Sequence, residues 1–126
     1  MAIKIALFST NNEIDCTKIA MQIANYFVDQ GKHTVAVIES GSEKKYQEFH
    51  ITSSDGIYRL NHVCYIPSDN THYNESEYDF IIKDFGKVNA LFEFTEAFDK
   101  VYLCEDSNPS NIFEMSDFLT EQNIIC

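Results

Sequence analysis

The residues best placed to do chemistry form a polar loop, Ser9 to Thr17, between two patterned segments. The apolar run before it, Ile3 to Phe8, has the length and composition of a buried strand. After it, Thr17 to Gln30 has apolar residues at helical spacing and is closed by Gly31, which we expect at the left-handed C′ position. A strand, a loop and a helix in this order hold phosphate groups in many nucleotide-binding folds. The position of the loop therefore predicts a phosphate site.

The chemistry of the same loop opposes phosphate. It contains no glycine and no lysine, while Glu13 and Asp15 are acids. A phosphate loop needs glycines so that backbone N–H groups can approach the ligand, and a lysine to neutralise its charge. Asp15 instead places a carboxylate at the positive end of the following helix, where capping the free N–H groups stabilises by about 1 kcal/mol. We therefore expect the carboxylate of Asp15 to occupy the anion site.

Two further acids end predicted strands. Glu39 follows the β-branched run from Thr34 to Ile38, and Asp84 ends the run that starts at Tyr78. Asp84 is expected to end the strand and cap the next turn. Glu39 is either a relic of a catalytic carboxylate or a solvated strand end, and we favour the strand end. Lys83, a charge inside an apolar strand, predicts an exposed edge or a partly open face.

Metal-binding and reactive-thiol chemistry are not expected. His50, His62, Cys64 and His72 surround one predicted hairpin, and His62 and Cys64 would alternate on one strand face. Spacing of this kind arises easily by chance, however, so it does not predict a metal site. The four cysteines are widely separated and form no C-x-x-C pair, which predicts reduced thiols in a cytoplasmic protein.

Size and charge narrow the class of protein. The 126 residues are 44% hydrophobic, which predicts a single ordered domain over residues 1–126. No apolar run approaches the length of a membrane span, and the N-terminus predicts a strand instead of a signal peptide. The net charge of −11 argues against direct contact with nucleic acid or an anionic membrane. We expect a cytoplasmic protein with a protein partner.

The remaining pattern predicts alternating strands and helices. Strand, helix and strand over the first part of the chain form a parallel βαβ unit. Asp55-Gly56 predicts the turn of a β-hairpin. The other predicted elements are hairpin strands Phe49–Thr52 and Ile57–Ile66, a strand Tyr78–Asp84, a helix Val88–Phe98, a strand Lys100–Cys104 and a helix from Ser110 to about Glu121.

Three stretches together resemble the MinD/ParA family of P-loop ATPases. Lys4 to Lys32 is similar to the family's first strand, phosphate loop and helix, including the Gly-Lys pair after the helix. Val35 to Glu39 is similar to its next strand, and Tyr78 to Gly86 to the Walker B strand with its terminal Asp and nearby Gly. Phe98 to Leu103 resembles the strand that follows the switch region.

The resemblance implies a role for each position of the loop. Thr10 takes the place of the family's first lysine, and Asp15 that of the second. The three glycine positions are taken by Asn11, Asn12 and Ile14, and the two hydroxyl positions by Cys16 and Thr17. If the site were retained, nucleotide would contact Asn11, Asn12, Asp15, Cys16 and Thr17, and Mg²⁺ would be linked to Asp84.

The resemblance also implies the architecture. It is a three-layer α/β/α sandwich with a mainly parallel, P-loop NTPase-like (Rossmann-like) sheet. The strand ending at Asp84 would lie between the first and second strands. An antiparallel hairpin would be inserted after the second strand, at about residues 45–77.

The leading functional hypothesis is a non-catalytic pseudo-ATPase related to MinD/ParA that acts as a protein-interaction or regulatory module without a cofactor. One alternative is a flavodoxin-like electron-transfer domain, because Phe8 to Asn12 also resembles an FMN phosphate loop. A second is a receiver-like signalling domain, in which Glu13, Asp15 and Asp84 would imitate the acidic site. ATP with Mg²⁺, or FMN, would bind only if the nucleotide site were retained or the flavodoxin alternative held.

Overall fold

The computed structural model describes residues 2–9, 15–31, 33–41, 46, 55–70, 72–89 and 96–104. Its elements are strand β1 (Ile3–Ser9), helix α1 (Cys16–Gly31), strands β2 (Val35–Glu39), β3 (Tyr58–Leu60), β4 (Val63–Ile66), β5 (Phe80–Lys87) and β6 (Lys100–Leu103), and a 3₁₀ turn, Glu75–Glu77. No helix in these ranges is long and apolar enough to cross a membrane.

The six strands form one mostly parallel sheet in the order β3-β4-β2-β5-β1-β6. Every neighbouring pair is parallel except β3 and β4. The fold is therefore α/β, as the alternation of strand and helix patterns predicts. β5 lies between β1 and β2, in the order that we expected for the strand carrying Asp84.

Helix α1 covers one face of the sheet. Its apolar stripe at i, i+4 spacing, Ile19, Ile23 and Phe27, is buried, and so are Ala20 and Ala24 beside it. The Phe27 ring stacks on Phe80 of β5 with centroids 4.1 Å apart. A buried side chain of this size stabilises the fold by about 1.5–3 kcal/mol, so this stripe fixes α1 against the central strands.

The opposite face holds a smaller apolar cluster and a group of ion pairs. Lys83 lies here, only 8% exposed, with its ammonium 2.5 Å from Glu96 and 3.2 Å from Glu75. Lys4 pairs with the same two carboxylates. Burial lowers the pKa of Lys83, but the hydrogen bonds with Glu96 and Glu75 outweigh this effect and raise it overall. The prediction of an exposed edge was wrong, since β5 is central and Lys83 is neutralised by carboxylates from outside its strand.

The hairpin turns at a different place from the one predicted. β3 and β4 are joined by Asn61-His62, whose φ angles of 52° and 67° are those of a type I′ turn. Asp55-Gly56 forms a separate turn before β3, in which Gly56 has a φ of 70°. The predicted strand Ile57–Ile66 is therefore two strands, and Phe49–Thr52 lies outside the described residues. β4 pairs in parallel with β2, so the hairpin extends the sheet.

Other sequence-based boundaries differ in detail. Gly31 is the last residue of α1 and lacks the positive φ of a C′ glycine, so that prediction was wrong. The described ends of the predicted helix Val88–Phe98, residues 88–89 and 96–98, are not helical, and its middle lies outside the description. The helix predicted from Ser110 lies outside it as well.

Candidate functional site

The candidate site lies at the carboxyl ends of β2 and β5. Glu39 and Asp84 are paired across these two strands and are 6% and 3% exposed. The connections that leave β1 and β5 run in opposite directions along the sheet, β1 toward β2 and β5 toward β6. Ligands of open α/β sheets bind at such reversals, outside the carboxyl ends of the strands. Asp84 therefore borders the position where the fold class places ligands, and Glu39 lies one strand away.

Asp84 is saturated by internal hydrogen bonds. Its Oδ2 accepts one from the Thr17 hydroxyl at 2.7 Å and another from the Tyr46 hydroxyl at 2.9 Å. Its Oδ1 accepts from the Gly86 backbone N–H at 3.1 Å. An ionised carboxylate is an acceptor only, and these three donors satisfy both of its oxygens. The group is thus held in place by one helix residue, one loop residue and its own strand.

A bulge in β5 makes the third of these bonds possible. Asp84 pairs with Leu7 and Lys87 pairs with Ser9, so β5 has one residue more than β1 over this interval. The extra length is absorbed at Gly86, whose φ of 64° suits glycine. The strand consequently continues past Asp84, where the sequence had predicted its end.

Glu39 binds the backbone N–H of Tyr46. Its Oε2 accepts from the Tyr46 backbone N–H at 2.8 Å, and its Oε1 accepts from the Ser68 N–H at 3.1 Å. The expectation of a solvated strand end was wrong, because Glu39 is buried and ties two connecting segments to β2. Burial, and then the neighbouring Asp84 carboxylate, raises the pKa of the Tyr46 hydroxyl well above 10. This tyrosine therefore remains protonated and donates to Asp84.

The start of α1 is capped by its own sequence. Asp15 is exposed, and its Oδ1 accepts a 3.0 Å hydrogen bond from the backbone N–H of Lys18, the third residue of the helix. This is the internal cap predicted from the sequence. Cys16 is buried, with its sulfur 3.9 Å from the Gly86 carbonyl oxygen.

Of the nucleotide-contacting residues proposed from the resemblance, the structure brings only some to the site. Thr17 contacts Asp84 directly, Cys16 lies beside the bulge of β5, and Asp15 caps the helix. Asn11 and Asn12 lie outside the described residues.

No metal centre is formed by the described part of the chain, which has no group of three His, Cys, Asp or Glu arranged to hold an ion. His62 lies in the hairpin turn and not in a strand, so the predicted alternation with Cys64 on one strand face was wrong. His50 lies outside the description.

Sequence reasoning missed the residues that close the site. Tyr46, fully buried, is the only aromatic residue in the polar stretch from Gly41 to Gln47, and that isolation was the available signal. Gly41 was also missed: a Cβ there would lie 2.2 Å from the carbonyl oxygen of Phe85, so only glycine fits. The Ser40 N–H donates to the Asp84 carbonyl at 2.8 Å, which holds this close approach in place.

The polar side chains of the site are hydrogen-bonded to one another. The Thr17 hydroxyl donates to a carboxylate, and a hydroxyl activated as a nucleophile needs a base with room to accept its proton. Tyr46 is held as a donor by its raised pKa.

Comparisons with protein families, with curated proteins and with solved structures return no match.

Proposed function

We propose that this chain is a non-catalytic relative of the MinD/ParA ATPases that acts as a protein-interaction or regulatory module. One observation carries the proposal. Asp84, at the position that the resemblance assigns to the Mg²⁺-linked acid, accepts hydrogen bonds from Thr17 and Tyr46. The hydroxyl groups of Thr17 and Tyr46 thus satisfy one oxygen of this carboxylate.

Nucleotide binding would require this arrangement to be dismantled. In the family, the hydroxyl that holds the Mg²⁺ directly follows the lysine, and the acid at the position of Asp84 is linked to the same ion. Here Cys16 takes that hydroxyl position, and the Asp84 carboxylate accepts a 2.7 Å hydrogen bond from the next residue, Thr17. The loop before α1 offers no lysine to offset the charge of a triphosphate, and the carboxylate of Asp15 caps the helix end. Each of these features disfavours an incoming anion.

The strand order supports this proposal over both alternatives. In flavodoxin-like folds, which include the receiver domains, the first strand lies between the second and the third. Here β1 lies between β5 and β6, and β5 separates it from β2. The order is the one that the MinD/ParA resemblance implies, with an antiparallel hairpin after the second strand. A three-layer, P-loop NTPase-like sandwich is therefore the architecture we propose.

The charge of the chain suggests the kind of partner. Its net charge of −11 favours a protein with a basic face over nucleic acid. Because Glu39 and Asp84 are engaged in internal hydrogen bonds, we place the interaction on the exposed surface and not on these two carboxylates.

Titration with a fluorescent ATP analogue and Mg²⁺ tests the proposal. We expect no saturable binding in the micromolar range, either by the wild type or by Asp84→Asn. The proposal would be overturned if the wild type bound the analogue at micromolar concentration and Asp84→Asn abolished this binding. The exposed control Asp69→Asn should then still bind. A parallel titration with FMN tests the flavodoxin alternative. Quenching of the flavin fluorescence would support that alternative.

A further inference from the structure

A cavity lies at the opposite end of the sheet from Asp84. It has a volume of about 590 Å³ and opens between the last turns of α1 and the β3–β4 hairpin. It is lined by Val28, His33, Thr34, Arg59, His62, Val63 and Cys64. His33 and Thr34 precede β2, and Val63 begins β4, so the cavity lies at the amino ends of strands whose carboxyl ends carry the Glu39 site. We propose that it binds a small amphipathic carboxylate, an apolar body carrying one anionic group.

The cavity lining contains one arginine and two histidines of an acidic chain. Arg59 is the only arginine in the sequence, and His33 and His62 are two of its four histidines. The seven described lining residues include no acid. In a protein of net charge −11, this local composition is complementary to an anion.

Arg59 has donors to spare for a ligand. Its two Nη atoms donate to the Asp55 carboxylate at 2.6 and 3.3 Å, and Nη1 also lies 3.5 Å from the Ile57 carbonyl. A guanidinium carries five N–H donors, so these contacts leave two without an acceptor among the described residues. Asp55 thereby holds the guanidinium at the rim of the cavity through its two Nη atoms, and the remaining N–H groups, on Nε and Nη2, form the edge that a planar carboxylate could accept from.

The backbone at His62 points to a use for its side chain. Its φ of 67° lies in the left-handed region, at the second central position of a type I′ turn, where glycine is preferred. A bulky residue there is strained, at a cost on the order of 1 kcal/mol. This strained turn places the imidazole of His62 in the cavity lining.

The shape and lining suit a small ligand with an apolar body. Pockets for such ligands have volumes of roughly 300–1,000 Å³, mostly apolar walls and a few convergent polar groups. Val28 and Val63 supply apolar walls, while Arg59 and His62 supply the polar groups.

The test uses 1-naphthoate as the probe, followed by ¹H–¹⁵N correlation NMR on the full chain. The neutral 1-naphthylmethanol and the cationic 1-naphthylmethylamine are matched controls for charge. We expect saturable shifts of the Thr34, Val63 and Cys64 amides with naphthoate below about 5 mM, and binding at least about tenfold weaker for both controls.

Two variants separate the site from general hydrophobic adsorption. Arg59→Gln and His62→Gly should each weaken naphthoate binding several-fold, whereas His72→Gln, an exposed histidine outside the cavity lining, should leave it unchanged. His62→Gly relieves the turn strain, so it should melt no lower than the wild type while binding less. The proposal would be overturned if naphthoate gave no saturable shift, or if it shifted amides outside the cavity instead. Equal binding of the three probes would also overturn it, and so would undiminished naphthoate binding by both cavity variants.

Discussion

The hydroxyl of Thr17, in the first turn of α1, donates a 2.7 Å hydrogen bond to the carboxylate of Asp84, 67 residues later in β5. This bond joins the helix that follows the first strand to the strand beside it. The Tyr46 hydroxyl donates to the same carboxylate oxygen from a third segment. Asp84 is thus a structural crosslink that ties α1 and the segment carrying Tyr46 to β5.

Removal of the shared acceptor should be costly. Asp84→Asn keeps the shape of the side chain but replaces one accepting oxygen with an N–H donor that faces other donors. We expect a loss of about 2–3 kcal/mol in the free energy of unfolding, because buried donors lose their partner. Urea denaturation measures it. Asp69→Asn, at an exposed position, should change stability by less than about 0.5 kcal/mol, and an equal loss in both variants would contradict the crosslink.

Tyr46 should give the protein a dependence on alkaline pH. Burial, then Asp84, raises its pKa well above 10 in the folded state, so above pH 10 the unfolded chain releases a proton that the folded chain keeps. Its contribution is fully present below pH 10 and is lost as pH rises toward the folded pKa, with a slope of about 1.4 kcal/mol per pH unit.

The control for this prediction is Tyr46→Phe, which removes the hydroxyl and keeps the ring. It should lose about 1 kcal/mol at pH 7 and show a shallower decline above pH 10 than the wild type, as followed by urea denaturation at several pH values. Burial also raises the pKa of Tyr65 and Tyr78 to about 12, and both proteins share that background. Identical alkaline slopes would contradict the assignment.

The cap of α1 should contribute separately from the site. Asp15→Ala removes the acceptor for the Lys18 N–H and should lower stability by about 1 kcal/mol. Asp29→Ala, an exposed acid near the other end of the same helix, is the matched control and should be neutral or slightly stabilising. Thermal unfolding followed by circular dichroism distinguishes them, and no difference between the variants would argue against the cap.

The close approach at Gly41 should tolerate no side chain. A Cβ there would meet the Phe85 carbonyl oxygen at 2.2 Å, so Gly41→Ala must move β2 away from β5, at an expected cost of more than about 2 kcal/mol. Gly31→Ala is the control, because its Cβ would lie 3.2 Å from a side-chain atom, His33 Nε2, and not 2.2 Å from backbone. Urea denaturation of both variants checks the difference, and equal stability would contradict the packing described.

The regular elements could be predicted because their signals are local. The two-faced apolar run of β1 and the i, i+4 stripe of α1 each report a buried environment within a few residues. The cap at Asp15 is equally local, since it depends only on the helix that follows.

The closed site could not be predicted because its bonds join distant segments. Nothing near Tyr46 in sequence indicates that its hydroxyl reaches Asp84 or that its N–H meets Glu39. Lys83 was misinterpreted for the same reason, since Glu75 and Glu96 come from outside its strand. The hairpin was misplaced because Asp55-Gly56 is the stronger local signal, while pairing with β2 favours the turn at Asn61-His62.

The most direct test of the central claim is a crystal structure of the protein grown with millimolar Mg²⁺ and ATP. We predict that the Thr17 hydroxyl remains within hydrogen-bond distance of Asp84, that Tyr46 keeps its place, and that no phosphate density lies at the start of α1. A metal ion between Thr17 and Asp84, with phosphate density beside Asp15, would contradict the account.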